Sequence, residues 1–278
     1  MFKESIRLDS SFALPWTYLS MCYWRQTASS ASPEFQASKK ANERALQLDP
    51  GSGTAIVNMA EILDNEYDFE GAEKSIKLAL KTEPNNQYVL RNAGRFYTLL
   101  GKHDLSISFC NQALQDDPIN RTALYYLIRA YFYAGNFEKT WLTFRKFDKL
   151  RYRGNPVIYY QLLLEEGRLD SIINAPSYQG SEYSRTFGLA AAYFKSGDKI
   201  RAEEQCEKLK ENNSASYNYL IAMAHSYGGE TEEVCTWLEK SFEAKETKLT
   251  YLAVDPAFDN FRNEPRVITI LQKMNFPN

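Results

Sequence analysis

The sequence predicts an all-α protein: a right-handed α-solenoid of about seven stacked helix-turn-helix units, with irregular central repeats and a C-terminal capping helix. Three observations predict it. Pro50, Pro84 and Pro118, each preceded by an acidic residue in LDP, TEP and DDP, stand 34 residues apart. Inside each window, apolar residues recur at helical spacing in two runs separated by a short turn. Glycine and proline fall mainly between these runs, where chain breaks belong. Units repeating at a fixed period bury their apolar faces by stacking on their neighbours, so one continuous core runs along the chain.

Residues 2–9, FKESIRLD, read as the end of a unit whose first helix lies upstream, so the natural protein is expected to extend further in that direction. A capping helix that begins here is the alternative. In the first full unit, Trp16, Leu19 and Tyr23 share one helical face, and the Ser-rich stretch TASSASPEF breaks the chain before a second helix ending at Leu48. The next unit packs Ile56, Met59, Ala60 and Leu63 against Phe69, Ala72, Ile76, Ala79 and Leu80. The third packs Leu90, Ala93, Gly94 and Tyr97, turns at Gly101 and closes at Pro118. Proline ends each second helix because it cannot donate the backbone hydrogen bond the helix needs.

These residues resemble the tetratricopeptide repeat: a large residue, a small residue and an aromatic on the first helix, then Ala, a large residue and Pro on the second. The matches are Ile56, Met59-Ala60, Leu63, Ala72, Ile76 and Pro84, then Leu90, Ala93-Gly94, Tyr97, Ser106, Cys110 and Pro118. The small Ala60 and Gly94 are expected to let the two helices of a unit cross closely. The fourth unit, 121–154, keeps Leu124, Leu127, Tyr131, Gly135, Phe137 and Phe144 but has Ile128 where a small residue is expected, and no closing proline. RYRGNP at 151–156 reads as an irregular joint, Val157–Glu166 as one helix, Leu169–Asn174 as a stub, and APSYQGS at 175–181 as a loop. The period recovers at Tyr183. The division expected is 1–154, with a regular core at 50–120; 155–250; and a cap at 251–278, forming one solenoid.

The tail resembles the C-termini of bacterial tetratricopeptide regulators that carry a cyclase, kinase or winged-helix domain upstream. The matching residues are Asp255, Pro256, Phe258, Phe261, Arg262, Glu264, Pro265, Arg266, Met274, Phe276 and Pro277. That resemblance implies a docking or sensory part of a larger signalling or regulatory protein. It transfers no upstream activity, because none of those domains is in this sequence. Val267–Met274 is expected to be a closing helix, with Phe258 and Phe261 plugging the end of the core.

Composition narrows the function. With 33 basic and 35 acidic residues the net charge is −2, which argues against nucleic acid binding through this region. No apolar run approaches the ~20 residues of a membrane span, so membrane insertion by this region is not expected. The N-terminus lacks the basic-then-apolar order of a signal peptide. A cytoplasmic location is expected, with the periplasm open if an upstream part spans a membrane. The four scattered cysteines read as buried thiols. Neither His103 nor His225 belongs to a paired metal-ligand or nucleophile–base pattern, and no phosphate-binding glycine loop occurs, so no enzyme, catalytic residue, metal or cofactor is expected.

Arrays of this kind hold extended peptides on the concave face, lined by first helices. Projection of the helical phase places Thr54, Val57, Asn58, Glu61 and Asn65 there, then Tyr88, Arg91, Asn92, Arg95 and Thr98, then Thr122, Tyr125, Arg129, Phe132 and Tyr133. The candidate peptide-binding set is Asn58, Glu61, Tyr88, Arg91, Asn92, Arg95, Tyr125, Arg129 and Tyr133. Asn58 and Asn92 stand one period apart, and an amide can both donate to and accept from a peptide backbone. The arginines flanked by tyrosines suit a carboxylate or acidic peptide; solvated surface arginines are the alternative. The expected partner is a protein or peptide, with a homo-oligomer possible. The alternative function is small-molecule sensing in a pocket near 151–182, lined by Tyr152, Tyr159, Tyr160 and Tyr178.

Overall fold

The computed structural model describes residues 1–149, 156–174, 182–211 and 217–277. The joint RYRGNP apart from its last residue, the loop APSYQGS, Tyr152 and Tyr178 lie outside the described residues. Among those described, α1 (Phe2–Leu8) is followed by seven helix pairs. They are α2 (Ala13–Trp24) with α3 (Pro33–Leu48), α4 (Gly53–Asn65) with α5 (Phe69–Thr82), α6 (Gln87–Leu99) with α7 (His103–Asp116), and α8 (Arg121–Tyr133) with α9 (Phe137–Lys149). Then come α10 (Pro156–Glu165) with the stub α11 (Leu169–Ile173), α12 (Glu182–Ser196) with α13 (Lys199–Glu211), and α14 (Asn218–Ser226) with α15 (Thr231–Glu243). Two 3₁₀ helices, Thr247–Tyr251 and Pro256–Phe261, lead to α16 (Pro265–Lys273). The chain is an all-α solenoid.

The 34-residue period is set by local chemistry at both ends of each hairpin. Ser52, Asn86 and Asn120, each two residues after a period-marking proline, cap α4, α6 and α8 by accepting from Ala55 N, Tyr88 N and Ala123 N at 3.3, 2.8 and 3.0 Å. Such caps satisfy amides that the first helical turn leaves unpaired. The hairpin turn repeats at the same interval. Tyr67, Gly101 and Gly135 all take the left-handed backbone region, with φ of 66°, 67° and 69°. A tyrosine is strained there where glycine is not. Its ring is held by stacking on Phe242, centroids 5.9 Å apart.

Gly94 and Ala60 have the packing role expected of them. Ala60 is fully buried. A Cβ built on Gly94 would overlap Cys110 Sγ and lie 3.2 Å from the Ser106 carbonyl of α7. In α2 the expected face is displaced. Trp16, Leu19 and Tyr23 are half-buried, and the buried residues are Pro15, Thr17 and Ser20. Ser20 and Ser38 share a hydroxyl hydrogen bond of 3.0 Å, so small polar residues, rather than rings, set how closely α2 meets α3. The thiols also differ from expectation in one case: Cys22 is exposed, while Cys110, Cys206 and Cys235 are buried, and all four are free.

The tail does more than plug an end. Phe258 and Phe261 bury in the C-terminal core cluster with Leu249 and Leu252, but Tyr251 joins the N-terminal cluster of Ile56, Ala60, Ala93 and Tyr97. Phe276 packs edge-on against Phe69, at 4.9 Å. The Ser-rich break of the first unit meets the last. Ser29 Oγ donates to Ala244 O at 2.5 Å, Ser30 N to Lys245 O at 3.0 Å, and Thr247 N to Ala28 O at 3.2 Å. Glu246, fully buried beside this seam, accepts from Asn218 N, Tyr219 N and Ser241 Oγ, anchoring its carboxylate at the positive end of α14. The first and last units are therefore joined through backbone and side-chain hydrogen bonds.

Gly94→Ala is expected to destabilise the protein. The methyl adds helix propensity of roughly 1 kcal/mol, but overpacking between α6 and α7 costs about 1–3 kcal/mol. Urea unfolding should show a lower midpoint at unchanged slope; an unchanged or higher midpoint would mean the two helices can separate freely.

Candidate functional site: two cavities on the inner face

The predicted inner-face residues fall into two groups. Asn58, Glu61, Tyr88, Arg91 and Asn92 line one cavity of about 260 Å³, walled on its other sides by Ser20, Trp24, Arg25, Thr122 and Tyr126. Tyr125, Arg129 and Tyr133 line a second, smaller cavity of about 120 Å³ together with Lys248, Tyr251 and Asp255 of the tail. Arg95 belongs to neither wall. It is buried in an ion pair with Asp64 and a second, at 3.3 Å, with Glu61. Val57, Thr98 and Phe132, also projected inward from the sequence, are core residues at 1%, 1% and 0% exposure. The helical phase puts them on the correct side, but neighbouring helices cover them.

In the first cavity the two asparagines differ. Asn92 donates Nδ2 to Tyr88 O in its own helix, at 2.7 Å. Asn58 accepts on Oδ1 from the Tyr88 hydroxyl at 2.5 Å, and its Nδ2 is buried without a partner among the described residues. Arg91 lies with its guanidinium 4.6 Å from the Tyr88 ring centroid, and its Nε is likewise buried and unpartnered. Buried donors without acceptors are costly, of order 1–3 kcal/mol each. Here the two residues that carry them line one concavity, beside the exposed Arg25. Glu61 contributes an acceptor to the same wall but is paired with Arg95. The arrangement favours an occupant that accepts hydrogen bonds.

In the second cavity the tail occupies the face on which Arg129 stands. The Arg129 guanidinium lies 3.5 Å from the Tyr251 ring centroid and donates to the Tyr125 and Tyr133 hydroxyls at 3.3 and 3.0 Å. Asp255 caps the second 3₁₀ helix at Ala257 N and accepts from Gln161 Nε2 at 2.9 Å and Tyr219 OH at 3.2 Å. Burial is the largest influence on its carboxyl and pushes it up to about 6, against the hydrogen bonds that favour ionisation. Other tail residues of the regulator resemblance are likewise occupied within the fold. Arg262 donates to Asp255 O, Arg266 pairs with Glu239 and Glu232, and Met274 is buried.

The pocket expected near 151–182 has a different form. Tyr160 is a core residue, packed where a Cβ on Gly188 would overlap its ring. Tyr159 lines an open cleft of about 500 Å³ with Trp141, Arg145, Glu166 and Arg168. His225 is buried, with Nδ1 2.9 Å from Glu230. Glu203, Cys206 and His225 bring donor atoms within 4.8 Å of one another, a grouping invisible in sequence because it spans two helices. The sequence reading also missed Trp24, Arg25 and Tyr126 in the first cavity and Lys248, Tyr251 and Asp255 in the second. Trp24 and Tyr126 lie on first helices one period before Asn58 and one period after Asn92, so the 34-residue spacing was a signal that could have found them. Arg25 follows the end of α2, and Lys248, Tyr251 and Asp255 lie in the tail, which has no repeat phase. No described helix is long and apolar enough to cross a membrane.

Stacked helical hairpins with period-spaced caps define a repeat-solenoid protein, and solved structures give the solenoid its type. A tetratricopeptide repeat protein from Parabacteroides merdae ATCC 43184 is 17% identical, covers 95% of this chain and 98% of its own, and superposes with a TM-score of 0.58. Yeast Tom70 is 16% identical over 98% of this chain and 61% of its own, with a TM-score of 0.55. The chain has the tetratricopeptide-repeat fold. No protein-family model matches it, and no curated protein does.

The Asp255 carboxyl gives a pH-dependent test. Its folded value lies above the ordinary 3.8, so the folded state holds the proton more tightly than the unfolded chain. Its contribution is most favourable below the unfolded value and is lost as pH rises from about 4 through about 6. The size is on the order of 2–3 kcal/mol. Asp255→Asn should flatten the stability profile between these limits, measured by urea unfolding at several pH values. A difference between wild type and variant that stays constant across the window would contradict the assignment.

Proposed function

We infer that this protein is a non-enzymatic scaffold that holds a protein or peptide partner in the first cavity of its inner face. The observation that carries this reading is that Asn58 and Arg91, each with a buried side-chain donor that has no partner among the described residues, line the same concavity of about 260 Å³ with three more of the nine sequence-selected residues. An extended segment would supply backbone carbonyls to Asn58. An acidic side chain would lie against the guanidinium held over Tyr88, where charge-assisted hydrogen bonds add both strength and direction. The tetratricopeptide-repeat fold supports a partner-binding role by analogy. The tail's resemblance to bacterial regulators supports a docking or sensory place within a larger signalling protein.

Of the nine candidates, Asn58, Arg91 and the Tyr88 ring are assigned to direct partner contact, with Asn92 and Glu61 shaping the wall. Arg95 positions Glu61. Tyr125, Arg129 and Tyr133 are assigned to holding the tail, so replacing Arg129 would disturb the fold as well as any ligand.

Arg91→Glu is therefore the discriminating variant. Capture of a partner from native extract by the immobilised chain, with bands identified by mass spectrometry, should fall at least tenfold, while the thermal midpoint stays within a few degrees of wild type. Undiminished capture by a folded Arg91→Glu protein would overturn the assignment of the groove.

A further inference from the structure

The second cavity has a chemistry that the partner groove does not explain. It is lined by α8, α10, α12, α14 and the tail. Two cations face it, Arg129 and Lys248. Among the described residues neither is ion-paired. Arg129 spends two of its five N–H donors on tyrosine hydroxyls and one face on Tyr251. Lys248 lies 5.3 and 5.8 Å from the Tyr183 and Tyr217 ring centroids and makes no hydrogen bond to a described residue.

The carboxylates nearby are committed elsewhere. Asp255 is saturated by Ala257 N, Gln161 and Tyr219. Glu246 is saturated by the first amides of α14 and by Ser241. The two cations also oppose each other: burial pushes the Lys248 amine down to about 8, Glu246 pulls the other way, and the charge of Arg129 adds a smaller push downward. Desolvated cations are stable when a counter-charge with hydrogen-bond acceptors lies between them.

We propose that this cavity is a binding site for a small oxyanion, a phosphate or short carboxylate, held between the Arg129 guanidinium and the Lys248 ammonium within a ring of tyrosines. The volume of about 120 Å³ accommodates such a group, since one water needs only about 10–15 Å³. Guanidinium and phenol donors match the acceptor oxygens, and the ammonium adds a point charge. Because Arg129 belongs to the fourth helix pair and Lys248 to the tail, the anion would tie the tail to the solenoid wall. Binding the folded state alone would then raise stability.

Thermal unfolding of the full chain with sodium phosphate, and separately with sodium succinate, each against sodium chloride at matched ionic strength, tests the site. The expected result is a saturable rise in midpoint of several degrees above the chloride control with at least one of the two anions. Phosphate alone acting identifies a phosphate site, succinate alone a carboxylate site, and both a general oxyanion site. Lys248→Met removes the ammonium without removing a hydrogen bond, and should abolish the rise in a protein that keeps its helical circular dichroism. Arg129→Lys keeps the charge but loses the planar fork, and should weaken apparent affinity at least tenfold; Lys248→Gln, which also removes the charge, carries the test if Lys248→Met does not fold. Arg91→Glu, in the other cavity, should leave the anion response intact, so failure of the partner groove and failure of this site are separable. No rise above chloride with either anion, or a rise that survives both cavity variants unchanged, overturns the proposal.

Discussion

The Arg129 guanidinium lying on the Tyr251 ring is the contact around which the inner face is arranged. A cation on the inside of a superhelix has lost water and needs compensation. A tyrosine face at 3.5 Å supplies it, with a desolvated cation–π contact contributing up to about 2 kcal/mol. The consequence is topological. Tyr251 enters the N-terminal core cluster while Leu249 and Leu252, its neighbours in sequence, bury in the C-terminal cluster. One short 3₁₀ segment thus belongs to both halves of the solenoid. The halves cannot move apart without exposing it.

The seam at residues 28–30 and 244–247 reinforces this constraint. A stack of helical hairpins contacts only its neighbours and has two free ends. Here the inserted Ser-rich loop of the first unit reaches the end of the last, and Glu246 links that seam to the N-terminus of α14. Tyr67 fits the same pattern. It takes a backbone conformation that its counterparts reserve for glycine, and its ring stacks on Phe242 of the last hairpin. Local strain at one hairpin turn is thereby coupled to a contact between distant units.

Closure also divides the inner face by chemistry. The first cavity is lined by Asn58 and Arg91, whose buried donors have no partner among the described residues, beside an exposed arginine. The second is aromatic, smaller and bounded by the chain's own tail. Arg95, with its two acidic partners, anchors the inner face beside the first cavity and holds Glu61 in its wall. The nine inner-face residues selected from sequence therefore do different work: five line the first cavity, one is a structural ion pair, and three receive the tail.

What the sequence determined by itself was the repeat. Pro50, Pro84 and Pro118 stop helices, Ser52, Asn86 and Asn120 start the next ones, and Gly101 and Gly135 turn the hairpins. All these act within a few residues of backbone, so their spacing can be read without tertiary knowledge. The close crossing at Gly94 was legible for the same reason, because it joins the two helices of one hairpin. What only the tertiary structure decided was the path of the tail and the fate of the charges it covers. The pairing of Arg129 with Tyr251, the half-buried Lys248 and the seam at Ser29 join residues from different units with no common period. Their partners are set by how much the superhelix curves, which is the accumulated result of small packing angles at every unit, and no single window of sequence contains it.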